Sequence, residues 1–163
     1  MYNGGITMTP KRVVATGTFD LLHPGHLYYL EESKKLGDEL YVIIARDRNV
    51  KHKPRPIIPE EHRLRMVEAL RPVDHAILGD LEDMFRPIVE ICPDIITLGF
   101  NQMFREDVLK KQLLERGLTT EIARIPRYQD GDLCSSRLIV QKIVEKRCHD
   151  GHHPNSPGHS DDF

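Results

Sequence analysis

The sequence is poor in the residues that build several common kinds of site. Its 163 residues include no tryptophan and only three cysteines, at positions 92, 134 and 148. An odd number of cysteines at irregular spacing is not a disulfide framework, and no pair has the Cys-x-x-Cys spacing of a structural zinc site. No apolar run approaches the roughly 20 residues that are needed to cross a bilayer. We therefore predict neither a disulfide-stabilised module nor a membrane protein.

The chain also lacks an excess of charge of one sign. Lysine and arginine number 23 against 25 acidic residues, which gives a formal net charge of -2 with histidine neutral. A nucleic-acid partner is not expected, because such proteins usually carry a basic patch or stripe. The N-terminus lacks the basic and apolar regions of a secretory signal, so we expect a cytoplasmic location.

The two ends of the chain differ in composition from its middle. Four of the nine histidines lie in the last fifteen residues, in a polar segment rich in proline and glycine. Such a segment buries too little apolar surface to order itself, although weak metal binding is an alternative. The composition predicts a flexible leader at residues 1–10, one domain at 11–147 and a disordered tail at 148–163, with no metal-ligating set.

Apolar strand patterns and helical patterns alternate five times between these ends. Strands are predicted at 13–16, 40–45, 76–78, 95–99 and 120–125, and helices at 25–36, 59–70, 84–91, 105–116 and 135–146. Pro87 falls within the third helix and is expected to shorten or kink it. The alternation predicts an α/β fold with a Rossmann-like, doubly wound parallel sheet of five strands in a three-layer α/β/α sandwich. Ligands then bind beyond the carboxyl ends of the strands.

The segment 17–26 lies between the first strand and the first helix. Gly17 and Gly25 permit close approach of the backbone, and His23 and His26 are three residues apart, so both imidazoles can face one cleft. Imidazole N–H groups there can donate to phosphate oxygens in a transition state. Simple capping of the helix is the structural alternative. The segment lacks the lysine of a phosphate-binding P-loop and the three glycines of a dinucleotide site.

Thr18-Phe19-Asp20 followed by His23-x-x-His26 resembles the signature of the cytidylyltransferase-like nucleotidyltransferases. That family includes glycerol-3-phosphate and choline-phosphate cytidylyltransferases and phosphopantetheine adenylyltransferase. The resemblance implies that the two histidines contact the α-phosphate and stabilise its five-coordinate transition state. It implies a nucleotide-binding set of Thr18, Phe19, His23, Pro24, Gly25 and His26. Asp20 is expected to brace the turn, and we keep it as a candidate acceptor or phosphate contact.

A basic, proline-rich loop follows the second strand. The resemblance implies that one lysine there, Lys51 or Lys53, contacts a phosphate of the acceptor or of the pyrophosphate, and the register does not separate the two. Arg63, at the start of the next helix, would face the acceptor or the triphosphate. The structural alternatives are a solvated basic loop and, for Arg63, a salt bridge to a carboxylate of the first helix.

The ends of the fourth and fifth strands complete the predicted site. The resemblance implies that Asn101 and Tyr128 contact the nucleotide and that Arg127 reaches a phosphate. Ser135 and Ser136, at a helix start, would hold the β- and γ-phosphates through hydroxyl and N–H groups. Simple N-capping is the structural alternative, and both roles can hold at once. Cys134 stands where relatives carry isoleucine. Nothing in the sequence assigns it an activating base, so we expect no covalent intermediate.

Over 11–147 the sequence resembles the archaeal FAD synthase group, through its His-Pro-Gly-His, Leu-Tyr-Tyr-Leu, Lys-x-Lys-Pro-Arg-Pro and Cys-Ser-Ser segments. The resemblance implies that ATP and FMN are the substrates, FAD and pyrophosphate the products, and a homodimer the assembly. A divalent ion, Mg²⁺, would be bound mainly through the triphosphate. The alternatives are a glycerol-3-phosphate-type cytidylyltransferase that uses CTP and a non-catalytic nucleotide-binding module.

Overall fold

A computed structural model of the chain describes residues 9–51, 54–129 and 133–148. The strands are β1 Arg12–Gly17, β2 Glu39–Ile44, β3 His75–Leu78, β4 Ile95–Leu98 and β5 Glu121–Arg124. The helices are α1 Pro24–Lys34, α2 Glu60–Glu68, α3 Arg86–Ile91, α4 Glu106–Leu114 and α5 Ser136–Cys148, and a 3₁₀ turn covers Asp47–Asn49. Most of the predicted leader and nearly all of the predicted tail lie outside the described residues. Within the described part, no helix is long and apolar enough to span a membrane.

The five strands form one parallel sheet in the order β3-β2-β1-β4-β5. The chain runs outward from β1 to β3, returns to β4 on the other side of β1 and continues to β5. This reversal confirms the predicted doubly wound fold, and it places the switch point between β1 and β4. We refer to the gap beyond the carboxyl ends of these two strands as the crevice. Strand boundaries fall within one residue of the predicted ones.

Two apolar cores, one on each face of the sheet, produce the three layers. In β1, Val13 and Ala15 belong to the core that contains Leu30 of α1 and Val67 of α2. Val14, between them, belongs to the core that contains Ile88 of α3 and Leu109 of α4. Successive side chains of a strand point to opposite faces, so a continuous apolar run is needed wherever helices cover both faces.

The third helix differs from its prediction. Met84 and Phe85 precede α3, which begins at Arg86 with Pro87 in its first turn. A proline there loses nothing, because the N–H groups of a first turn have no partner within the helix. Asp83 instead accepts a hydrogen bond from the backbone N–H of Phe85 at 2.9 Å, which shapes the approach to the helix. Pro87 therefore lies in the first turn of a helix that is shorter than predicted, so the expected shortening is present and the kink is not.

A buried cluster of three hydroxyl side chains, from Tyr29, Ser33 and Thr97, lies between α1 and β4 near the switch point. The Tyr29 hydroxyl of α1 donates to the backbone oxygen of Thr97 at 2.9 Å, and the Ser33 and Thr97 hydroxyls are 2.9 Å apart. Burial raises the pKa of Tyr29 to about 12, so the hydroxyl keeps its proton near neutral pH. These bonds fix α1, and with it the histidine turn at its start, against β1 and β4.

Replacing Leu30 by alanine should lower the free energy of unfolding by about 2–5 kcal/mol, because the side chain is fully buried and leaves a cavity. Urea denaturation of both variants measures the effect. Leu114→Ala makes the same change on α4, where the side chain is 53% exposed, and should cost well under half as much. Equal losses in the two variants would contradict the assigned core.

Candidate active site

His23 forms the N-cap of α1 through its side chain. Its backbone is extended, and its Nδ1 atom accepts a hydrogen bond from the backbone N–H of His26 at 3.2 Å. An imidazole nitrogen that accepts a hydrogen bond carries no proton, so the neutral ring has its hydrogen on Nε2. Capping of the helix therefore selects the tautomer of His23, and it leaves Nε2–H as the donor of this ring.

The rings of His23 and His26 lie side by side. Their centroids are 3.7 Å apart and their planes differ by 19°. The Phe19 ring packs against the pair, and its centroid is 5.3 Å from that of the His26 ring. Burial lowers the pKa of His23 below its ordinary value of 6.5, because removal from water disfavours the charged ring. The predicted convergence of the two histidines on one side of the turn is present.

Gly25 lets the histidine turn touch the segment that leads into α5. A Cβ atom at Gly25 would lie 2.7 Å from the backbone oxygen of Cys134 and 3.1 Å from the His23 ring. The two turns are joined again where the Ser136 hydroxyl donates to the backbone oxygen of Asp20 at 2.6 Å. The fold thus brings the predicted α-phosphate and β,γ-phosphate segments into direct contact.

Both predicted serines have partners within the protein. The Ser135 hydroxyl oxygen accepts from the backbone N–H of Leu138 at 3.3 Å, as an N-capping side chain does. Ser136 uses its hydroxyl proton on Asp20, while its oxygen can still accept. The N-capping alternative therefore holds for Ser135, and phosphate contact by either serine stays a prediction.

The Asp20 carboxylate has a bracing role, which is the first of the two roles expected for it. Its carboxylate oxygens accept from the backbone N–H groups of Ile57 and Ile58, each at 3.0 Å. The flanking residues Phe19 and Leu21 have φ angles of 55° and 47°, a left-handed conformation that is uncommon for such side chains. Two backbone donors thus hold the carboxylate toward the basic loop, and direct contact of Asp20 with a phosphate gains no support from this geometry.

The orientation of Arg63 differs from the prediction. Its side chain has no exposed surface, and its guanidinium donates to the backbone oxygens of Ile58 at 2.9 Å, Ala45 at 2.8 Å and Thr18. It also forms an ion pair with Asp47 at 2.6 Å. Arg63 therefore does not face a substrate, and its carboxylate partner comes from the 3₁₀ turn and not from the first helix. Through Thr18 and Ala45 the Arg63 guanidinium connects the residues that follow β1 and β2.

The basic loop offers fewer free cations than its sequence suggests. Arg46 pairs with Glu60 at 2.9 Å, which leaves Arg48, Lys51 and Arg55 as the exposed basic residues that the structure describes there. Lys53 lies outside the described residues, so the choice between the two lysines stays open.

The turn after β4 contains Gln102, a residue that the sequence prediction does not include. Asn101 is exposed, as a ligand contact needs, but the Gln102 amide lies between Gly99 and Thr16 and bonds to both. Arg127 places its guanidinium 5.6 Å from the Phe100 ring centre, and the Tyr128 ring lies 5.3 Å from that of Tyr28. Arg127 thus contacts the turn after β4 and Tyr128 contacts α1, while nucleotide or phosphate contact by Asn101, Arg127 and Tyr128 stays a prediction. No sequence signal distinguishes Gln102 from the amide before it.

The family profile described as cytidylyltransferase-like matches residues 14–142. The chain belongs to the cytidylyltransferase-like family. The match runs from within β1 to the middle of α5 and includes the histidine turn and the other four strands.

Individual relatives narrow the comparison. The chain is 71% identical over 140 residues to a protein named FAD synthase from Methanoregula boonei, covering 86% of this chain and 95% of the relative. A protein of the same name from Ferroglobus placidus is 60% identical over 134 residues, 82% and 88% of the two chains. A solved structure titled as a lipopolysaccharide core biosynthesis protein from Thermoplasma volcanium has 48% identity and a TM-score of 0.70, over 74% of this chain and all of that one.

Replacing Arg63 by lysine should lower the free energy of unfolding by about 2–4 kcal/mol, because one ammonium group cannot reach the four acceptors and leaves part-buried carbonyls without a partner. Urea denaturation gives the value. Arg65→Lys on the exposed side of the same helix is the matched control and should change it by under about 0.5 kcal/mol. An Arg63→Lys variant as stable as the control would show that the network is not structural.

The His23 imidazole should titrate below 6.5 in the free protein and carry its proton on Nε2. Nitrogen-15 NMR of the histidine side chains as a function of pH reports both properties. Because the folded state disfavours the charged ring, the unfolded chain takes up this proton first as the pH falls below about 6.5. His23 therefore lowers stability in acid and is neutral in its effect above that pH. A proton on Nδ1, or a raised pKa, would contradict the capping role.

Proposed function

We propose that this protein transfers AMP from ATP to FMN and forms FAD and pyrophosphate. The stacked histidine pair at the mouth of the crevice carries the reaction class, since two imidazoles beside a helix N-terminus suit a phosphate on which negative charge develops. The acceptor is supported by the relatives named FAD synthase, which are 58–71% identical to this chain. Together these observations favour FMN over glycerol 3-phosphate and ATP over CTP.

In this proposal the α-phosphate of ATP lies against His23 and His26. The FMN phosphate is already an anionic nucleophile, so no strong general base is needed. Its oxygen forms a bond to the α-phosphorus while the bond from that phosphorus to the bridging oxygen of pyrophosphate breaks. The Nε2–H of His23 donates to a non-bridging oxygen whose charge rises in the transition state. In this proposal the neutral ring, which burial favours by lowering its pKa, acts as a hydrogen-bond donor and not as an acid.

Other segments around the histidine turn would make the remaining contacts with the two substrates. Thr18 and Phe19 would offer backbone groups, since the Phe19 side chain is buried in the core. The first turn of α5, with Ser135 and Ser136, would receive the β- and γ-phosphates. Lys51 or Lys53 and Arg127 would bind the phosphates of acceptor or product, while Asn101 and Tyr128 would contact the nucleoside. Arg63 serves this site as a positioning residue.

A divalent ion completes the proposal. Among the described residues, no group of three or more histidine, cysteine or acidic side chains is arranged to hold a metal ion. An ion such as Mg²⁺ would accordingly arrive with the triphosphate and neutralise the charge that develops on the leaving pyrophosphate. We further propose a homodimer and a cytoplasmic location for the enzyme.

The pure protein should form FAD and pyrophosphate from FMN and ATP in the presence of Mg²⁺ and a reducing agent. Chromatography resolves FMN from FAD, and a parallel reaction with CTP tests the nucleotide. Formation of a glycerol 3-phosphate product from CTP, with no flavin product, would move the function to the cytidylyltransferase alternative and retain the site.

His23→Ala and His26→Ala should each lower kcat by ~10²-fold or more while ATP affinity changes little, because each variant loses a donor that acts mainly in the transition state. Steady-state kinetics and calorimetric ATP binding separate the two effects. His75→Ala is the control, since His75 begins β3 at the opposite end of the sheet. A loss that appears only as weaker ATP binding would contradict the assigned role.

A further inference from the structure

The end of β1 extends beyond the point where it stops pairing with β4. The register joins β1 to β4 only from Val13–Ile95 to Ala15–Thr97, whereas β1 pairs with β2 as far as Gly17. The backbone N–H and oxygen of Thr16 therefore lie on an open strand edge inside the crevice. Buried or half-buried backbone groups require partners, and both groups of Thr16 obtain theirs from side chains.

Tyr29 and Gln102 supply these partners. The backbone N–H of Thr16 donates to the Tyr29 hydroxyl at 3.3 Å. The Gln102 Nε2 atom donates to the backbone oxygen of Thr16 at 2.7 Å, while its Oε1 atom accepts from the backbone N–H of Gly99 at 2.8 Å. The orientation of this amide is determined by its surroundings, because Gly99 N–H can only donate and Thr16 O can only accept.

The same amide joins the turn after β4 to the turn after β1. Arg124 of β5 also binds the turn after β4, because its guanidinium donates to the backbone oxygens of Gly99 at 3.0 Å and Gln102 at 3.1 Å. Two residues beyond Thr16 lies Thr18, whose backbone would meet the nucleotide, and Asn101 is next to Gln102 in the chain. One side chain thus spans the gap between the two sides of the crevice.

We propose that Gln102 is a positioning residue that sets the width of the crevice at the switch point and thereby the fit of the nucleotide. The inference rests on the proposed function, since it takes the crevice to hold a nucleotide. An amide suits this task and a carboxylate does not, because the bond to Thr16 O requires a donor and the bond to Gly99 N–H requires an acceptor. Glutamate matches the size of glutamine and provides the donor only when it is protonated.

Several charged or titratable groups surround this position. Arg124 approaches from β5 and is itself paired with Glu106 of α4 at 2.8 Å. Tyr29 approaches from α1 and stays neutral over the usual pH range, since burial raises its pKa. Arg127 lies over Phe100, and the two histidines lie at the start of α1. Because these groups are present in the unmodified protein as well, each variant must be compared with wild type at every pH.

ATP affinity of the full-length Gln102→Met and Gln102→Glu variants tests the proposal. Methionine keeps the length without either hydrogen bond, and should raise the Kd for ATP about tenfold, as expected for loss of roughly 1.4 kcal/mol. Gln102→Glu should bind ATP as weakly at about pH 8 and recover at least about twofold relative to wild type at about pH 5, where an ordinary glutamic acid, with a pKa of about 4.3, is partly protonated. Gln112→Glu on α4 makes the same chemical change away from the crevice and should follow wild type.

Calorimetry with ATP, and in parallel with CTP, should be done without FMN, and thermal unfolding should verify that each variant is folded. An ATP affinity of Gln102→Met within twofold of wild type would overturn the proposal, as would a Gln102→Glu profile parallel to that of wild type. If wild type binds ATP but forms no FAD, the proposed function fails and the role of Gln102 is still measured.

Discussion

The parting of β1 and β4 is the constraint on which the rest of this structure depends. Two neighbouring parallel strands separate after Ala15 and Thr97 because the chain winds outward from them in opposite directions. Their carboxyl ends cannot pair further, so a crevice opens whose walls carry backbone groups that have no partner in a neighbouring strand. Everything that meets the nucleotide in the proposed reaction is attached to this opening, and the polar groups of its walls have to be satisfied without filling it.

A small number of polar side chains satisfies them. Arg63 donates to backbone oxygens that follow β1 and β2 and to one in the basic loop. Asp20 accepts from two backbone N–H groups of the same loop. The helix start itself sets the tautomer of His23. Stabilisation of the fold and arrangement of the chemistry are therefore largely the same interactions. This explains why the side chains of Phe19 and Arg63 are buried and make their contacts within the protein.

The sequence allowed most of the fold and the outline of the site to be predicted. Continuous apolar runs required helices on both faces, and five strand–helix alternations left the doubly wound topology as the natural solution. Residue types did not determine side-chain orientation. Arg63 carries a charge that suits a phosphate, and only the surrounding carbonyl oxygens show that it is turned inward. The adjacent amides Asn101 and Gln102 are equivalent in the sequence, and the local path of the turn after β4 separates them. Periodicity places Pro87 inside a helix because helix starts are set by turn geometry, which periodicity does not report.

The central claim is that FMN attacks the α-phosphorus directly while the histidine pair stabilises the charge, with no covalent intermediate on the protein. The most direct test uses ATP in which sulfur replaces one non-bridging oxygen of the α-phosphate, supplied as a single diastereomer, and determines the configuration at phosphorus in the flavin product. One in-line displacement predicts inversion. Retention would mean two displacements through a nucleotide bound covalently to the protein, with Cys134 at the edge of the site as the first residue to examine, and it would contradict this account.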